Sequence, residues 1–95
     1  MKIRFRREAE ADLRAIIEYY EEIAPEAVPA ILSDIYRSIN QLAHYPGSGM
    51  PVPDRSFRRI VTLKYHFKLA YEVGEDRVII LGVFRYQDRE VWCIW

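Results

Sequence analysis

The chain has 95 residues, about half of them hydrophobic, and equal numbers of acidic and basic side chains. That length fits one domain, 1–95, burying roughly 60–65% of its unfolded surface, and the composition excludes disorder. A formal net charge of zero argues against wrapping nucleic acid, and one cysteine, Cys93, excludes an internal disulfide and reads as a small apolar residue.

The charges are uneven: acids gather over residues 8–26, and bases over 2–7 and again over 55–68. A neutral total can therefore hide a basic face. The first residues alternate charge and bulk with no apolar leader after them, and no run approaches the ~20 residues of a membrane span. A cytoplasmic location is expected.

Lys2-Ile3-Arg4-Phe5-Arg6 alternates polar and apolar, the period of a half-buried strand, and a sheet edge suits it. Ala9, Leu13, Ile16, Ile17, Tyr20 and Ile23 then recur at helical spacing, with Glu10, Asp12, Arg14, Glu18, Glu21 and Glu22 as the wet face. Pro25 ends this helix, because the residue before a proline avoids helical angles. A second helix starts at Glu26, carries Ile31, Ile35, Ile39 and Leu42 as its stripe, and stops before Pro46. Pro29 falls in its first turn, where a missing N–H costs little. So short a link predicts an antiparallel helical hairpin.

Residues 45–56, YPGSGMPVPDRS, read as a loop. Gly47-Ser48-Gly49 is turn chemistry, without the spacing of a phosphate-binding loop. From Phe57 the period becomes two. A strand over 57–63 bends near Lys64 into one over 65–73, with Tyr65, Phe67, Leu69 and Tyr71 on one face and His66, Lys68, Ala70 and Glu72 on the other. Gly74-Glu75-Asp76 reads as a hairpin turn, and the apolar run 77–84 as a central strand covered on both faces. The order is β-α-α-β-β-β, an α+β architecture with the helical hairpin packed on one face of a mostly antiparallel sheet.

His44 and His66 have no ligand partners at zinc spacing, and no nucleophile triad is suggested, so neither metal nor cofactor is expected. The basic set Arg58, Arg59, Lys64, Lys68, Arg85 and Arg89 comes from successive strands or their ends. Alternation divides it: Arg58 shares a face with Ile60, and Arg59 with Val61. These side chains cannot all line one pocket.

The pattern as a whole resembles the RelE/ParE toxin superfamily. Ala9, Asp12, Leu13, Ile16 and Tyr19, then Leu42, Pro46 and Gly49, fall at the positions of its helical hairpin. Arg59, Tyr65/Phe67 and Tyr71 follow its sheet, and Asp88 to Trp92 echoes the ending of its ParE-type plasmid-stabilisation branch. The resemblance implies the toxin of a type II toxin–antitoxin pair, neutralised by a cognate antitoxin that adds a helix and an extended segment. The apolar supply of Tyr19, Tyr36, Tyr45, Trp92 and Trp95 suits such a surface.

The superfamily holds two activities: ribosome-dependent cutting of messenger RNA, and poisoning of DNA gyrase. For RNA cleavage the candidates are Arg59, Arg85 and Tyr86, supplying cations and a proton-transfer group. Gln87 cannot move a proton, and Asp88 would repel phosphate. The gyrase reading is favoured, with Arg58, Arg59, Lys64, Arg85, Arg89 and Trp92 as target or antitoxin contacts. A non-toxic partner-binding relative is the third possibility.

Overall fold

The computed structural model describes residues 1–85. Five strands and two long helices follow in the order β1 (Lys2–Phe5), α1 (Arg7–Ile23), α2 (Val28–His44), β2 (Met50–Pro51), β3 (Arg58–Val61), β4 (Lys68–Val73) and β5 (Arg77–Phe84). Single 3-10 turns, Pro25–Ala27 and Pro46–Ser48, precede α2 and β2. The first delays the start of α2 to Val28, two residues past the expected Glu26. Pro29 does lie in the first turn of α2.

The strands form one sheet in the order β1-β5-β4-β3-β2. The pairs β3–β4 and β4–β5 are antiparallel, in keeping with the expected mostly antiparallel sheet, and so is β2–β3, whereas β1 runs parallel to β5. The sheet is therefore mixed. The chain must cross the whole helical layer between these two strands, so nothing local forces them antiparallel. A second difference is β2, which lies inside the stretch read as a loop. It has only two residues, one of them Pro51, and such a strand is tolerated at a sheet edge. A third is the start of β4. Residues 62–67 form a turn, with His66 at φ 60°, so the strand begins at Lys68 and not at Tyr65.

The helices cover one face. Ala9, Leu13 and Ile16 of α1 and Ile31, Ile35, Ile39 and Leu42 of α2 pack on Phe67, Leu69, Tyr71, Val78, Ile80 and Val83. On the other face Val52 and Phe57, from the segment between β2 and β3, fold over Ala70 and Leu81. β5 is thus covered on both sides, which accounts for its unbroken apolar run.

An irregularity sits where Ala70 pairs with Gly82 but Tyr71 pairs with Ile80, leaving Leu81 extra on β5. The added residue resets the alternation. Val78, Ile80 and Val83 all face the helices, while Ile79, Leu81 and Phe84 face away.

Candidate functional site

A concave surface begins at β1. This strand is the sheet edge, and among the described residues no strand lies beyond it. Its Ile3 and Phe5 point toward the helices. On α1, residues 10, 13, 14, 17, 18 and 21 recur at helical spacing and so share one face. Between them lies a groove of about 700 Å³. Its floor is apolar, made by Ile3, Phe5, Leu13, Ile17 and Tyr36 of α2, and its rim is charged, with Arg4, Glu10, Arg14, Glu18 and Glu21. Tyr36 is 49% exposed, large for an aromatic side chain with no cover.

A second hollow, of about 290 Å³, lies at the far end of β5 between Asp12, Ile16, Tyr19, Val83 and Arg85. β1 ends opposite Ile80, so the next backbone groups of β5 need other partners. Side chains supply them: the Arg6 guanidinium donates to the Leu81 carbonyl at 3.1 Å, and the Val83 N–H donates to Asp12 Oδ2 at 3.1 Å. Burial pushes the Asp12 carboxyl above its ordinary value, against the Val83 hydrogen bond and the Arg6 charge, which act to lower it. Asp12 was expected on the wet face of the first helix. It stands instead three residues after Ala9 and four before Ile16, in phase with the core, and that spacing was the available signal.

Asp12→Ala should therefore leave the Val83 N–H without its acceptor and cost about 1–3 kcal/mol in a denaturant melt. Asp12→Asn keeps an acceptor and removes a charge that burial disfavours. It should lie within about 1 kcal/mol of the parent at neutral pH, because a raised carboxyl pKa withdraws stability as pH climbs through it.

The structure separates the basic residues singled out from the sequence. The Arg58 guanidinium donates to the Gly49 carbonyl at 2.9 Å, on the helix face. Arg59 lies on the opposite face, paired across the ladder with Ala70 and Met50. Lys64 is in the turn after β3, its ammonium 5.6 Å from the Tyr65 ring centroid. Arg85 follows β5, its guanidinium 4.7 Å from the centroid of Tyr19. Tyr19 meets Tyr20 edge-on at 5.1 Å, and Tyr20 meets Phe67 at 6.2 Å, so an aromatic file links Arg85 to the core. Tyr86, Arg89 and Trp92 lie outside the described residues.

Sequence reasoning missed Asp34, on α2 and only 2% exposed. Its two oxygens accept the Lys64 N–H at 3.0 Å and the Tyr65 N–H at 2.8 Å. Thr62 adds a side-chain hydrogen bond, and Thr62 Oγ1 in turn accepts the Phe67 N–H at 2.8 Å. One carboxylate thus organises the turn that carries Lys64. The signal was its phase: Asp34 and Ser38 follow Ile31 at helical spacing, inside the apolar stripe.

His44 sits at the end of α2 against the Asn40 carbonyl, and His66 lies in the β3–β4 turn. Among the described residues no group of three or more His, Cys, Asp or Glu side chains is placed to hold a metal. Nor is any helix among them long and apolar enough to cross a membrane.

Comparison with known proteins agrees with this architecture. A solved structure described as "Chromosomal ParDE TA system from P. aeruginosa" superposes with a TM-score of 0.77 at 26% identity, covering 90% of this chain and 95% of that one. The protein named "Putative toxin Y4kP" of Sinorhizobium fredii is 28% identical over 86 residues, 90% of either chain. The family model for the ParE toxin of the type II toxin–antitoxin system parDE matches residues 3–89. A match over nearly the whole chain, in the same fold, places this protein in the ParE toxin family.

Proposed function

We propose that this ParE-family toxin acts by binding DNA gyrase, and that a cognate antitoxin neutralises it by occupying the groove between β1 and α1. The observation that carries the first part is the dispersal of the basic residues. Cutting RNA requires a proton acceptor and cations converging on one phosphate. Here Arg58 is tied to the Gly49 carbonyl, Arg59 lies on the opposite face of the sheet, and Arg85 lies over the Tyr19 ring. Such an arrangement suits contacts to a protein surface better than a phosphate clamp. Arg59, Lys64 and Arg85, together with Arg89 and Trp92, are the contacts we assign to the target. Arginine and tryptophan are also the side chains that most often dominate interface energy.

The second part rests on the groove. A partner strand can pair with the open edge of β1 while its side chains fill an apolar floor, which combines strand addition with groove docking.

The test sets two assays against each other. Purified protein should block gyrase supercoiling of relaxed plasmid, or trap cleaved DNA, and leave ribosome-bound message intact. Codon-dependent cutting of message, lost on Arg85→Ala, would overturn the gyrase reading in favour of RNA cleavage.

A further inference from the structure

The groove is not electrically uniform along its length. Arg4 and Arg14 line the groove with Glu10, Glu18 and Glu21, and Arg14 stands one helical turn from both Glu10 and Glu18. Beyond Arg14 the helix has Glu18, Glu21 and Glu22 and no basic residue, and none occurs in its last turn. That arrangement is unfavourable twice over. Like charges three and four residues apart repel. The C-terminal end of a helix is also the negative pole of its dipole, where carboxylates are disfavoured and cations stabilise. Among the described residues neither Glu18 nor Glu21 takes part in an ion pair. With two arginines against three glutamates the groove lining carries a net negative charge, and its acidic excess lies toward the C-terminal end of α1.

Resting on the antitoxin reading above, we propose that Glu18 and Glu21 select the cognate antitoxin by charge. The occupant is an extended antitoxin segment paired with the outer edge of β1. Alternate apolar side chains of that segment enter the floor at Ile3, Phe5 and Ile17, since every second residue of an added strand points to the same face. A lysine or arginine of the segment sits against Glu18 and Glu21, with Tyr36 offering its alkyl stem an aromatic surface. An antitoxin with an acidic residue at that point is rejected, because like charges brought together at an interface cost far more than a neutral mismatch.

The probe is the small protein encoded by the reading frame adjacent to this chain's gene, titrated calorimetrically at low and at high salt. Glu18→Gln with Glu21→Gln should weaken binding about tenfold at low salt and flatten its salt dependence, and Glu18→Lys with Glu21→Lys should weaken it about a hundredfold. Glu22→Gln with Glu26→Gln removes the same charge away from the groove and should change little. If that control weakens binding as much as the groove pair does, overall charge is responsible and the selection by Glu18 and Glu21 is overturned. If Ile17→Asp abolishes binding but the groove pair leaves it unchanged, the inference fails while the docking site stands. Binding indifferent to Ile17→Asp, or no binding by the parent protein, overturns the antitoxin reading itself.

Discussion

Asp34→Ala should destabilise this chain by about 3–5 kcal/mol, because it strands two backbone N–H groups and the Thr62 hydroxyl in a buried site at once. In a domain of this size that is on the order of 15–30 °C in Tm. The loss is not confined to one contact. Thr62 also receives the Phe67 N–H, so the whole of residues 62–67 is organised from one carboxylate on α2. Lys64, one of the residues proposed to meet the target, rides on that turn, and on that reading the variant weakens target binding even where it stays folded.

The same group gives a pH signature. Burial by itself would raise the Asp34 pKa. The hydrogen bonds from Thr62, Tyr65 and Lys64 and the positive charge of Arg37 outweigh it, and hold the carboxyl below the ordinary 3.8. The unfolded chain then binds the proton more readily than the folded one. The stability due to Asp34 is complete above about pH 4 and is lost as pH falls through the folded value. Asp34→Asn should flatten this acid limb in denaturant melts taken across pH 2–5. An unchanged limb would show that other carboxylates set it.

Gly49→Ala should be almost as damaging, at about 3 kcal/mol, for a different reason. A Cβ at this position would run into the Arg59 carbonyl oxygen and the Tyr71 hydroxyl. The first is backbone within the β2–β3 ladder, and the second is held by two hydrogen bonds. Tyr71 accepts the Gly49 N–H at 2.9 Å and donates to the Pro46 carbonyl at 2.8 Å, while Arg58 holds the Gly49 carbonyl. Burial pushes the Tyr71 phenol above 10.0, so its donor proton is retained through the physiological range. Neither neighbour can step aside cheaply, and overpacking of this kind costs 1–3 kcal/mol or more, to which any lost bond adds. Tyr71→Phe, which leaves two backbone groups unpaired, should cost about 1–3 kcal/mol. Gly47→Ala is the control: nothing lies within 4 Å of an added Cβ there, and thermal melts should show almost no change.

These two clusters mark where the sequence was hard to read. The hydrophobic period identified both helices, the edge strand at Lys2, the turn at Gly74 and the buried run of β5. Each of those is a local property of spacing. Alternation also divided Arg58 from Arg59 correctly, since neighbours on a strand face opposite ways. It could not give the direction of β1, because face alternation is the same in parallel and antiparallel pairs. It could not give β2 either, since two residues carry no period. The polar groups that secure the ends of the strands were harder still. Asp12 and Asp34 look like surface acids by type, and only their phase within the apolar stripes shows that they serve backbone N–H groups in distant strands. The contacts proposed for gyrase and for the antitoxin are mostly ordinary surface charges, and such roles depend on partners that periodicity does not encode.

The parallel pairing of β1 with β5 has a consequence for how the molecule is made. Strands joined side by side in the finished sheet are separated by about 75 residues of chain, as the Arg6–Leu81 hydrogen bond illustrates. During synthesis β1 emerges first and has no strand to pair with until β5, the last of the described elements, has followed it. Closing so large a loop is slow compared with forming either helix. For that interval the nascent chain shows two apolar helix stripes and a first strand unpaired on both edges. A toxin built in this order cannot complete its surface until nearly all of the described chain has left the ribosome. A partner able to hold β1 from its outer edge meets that strand long before β5 does.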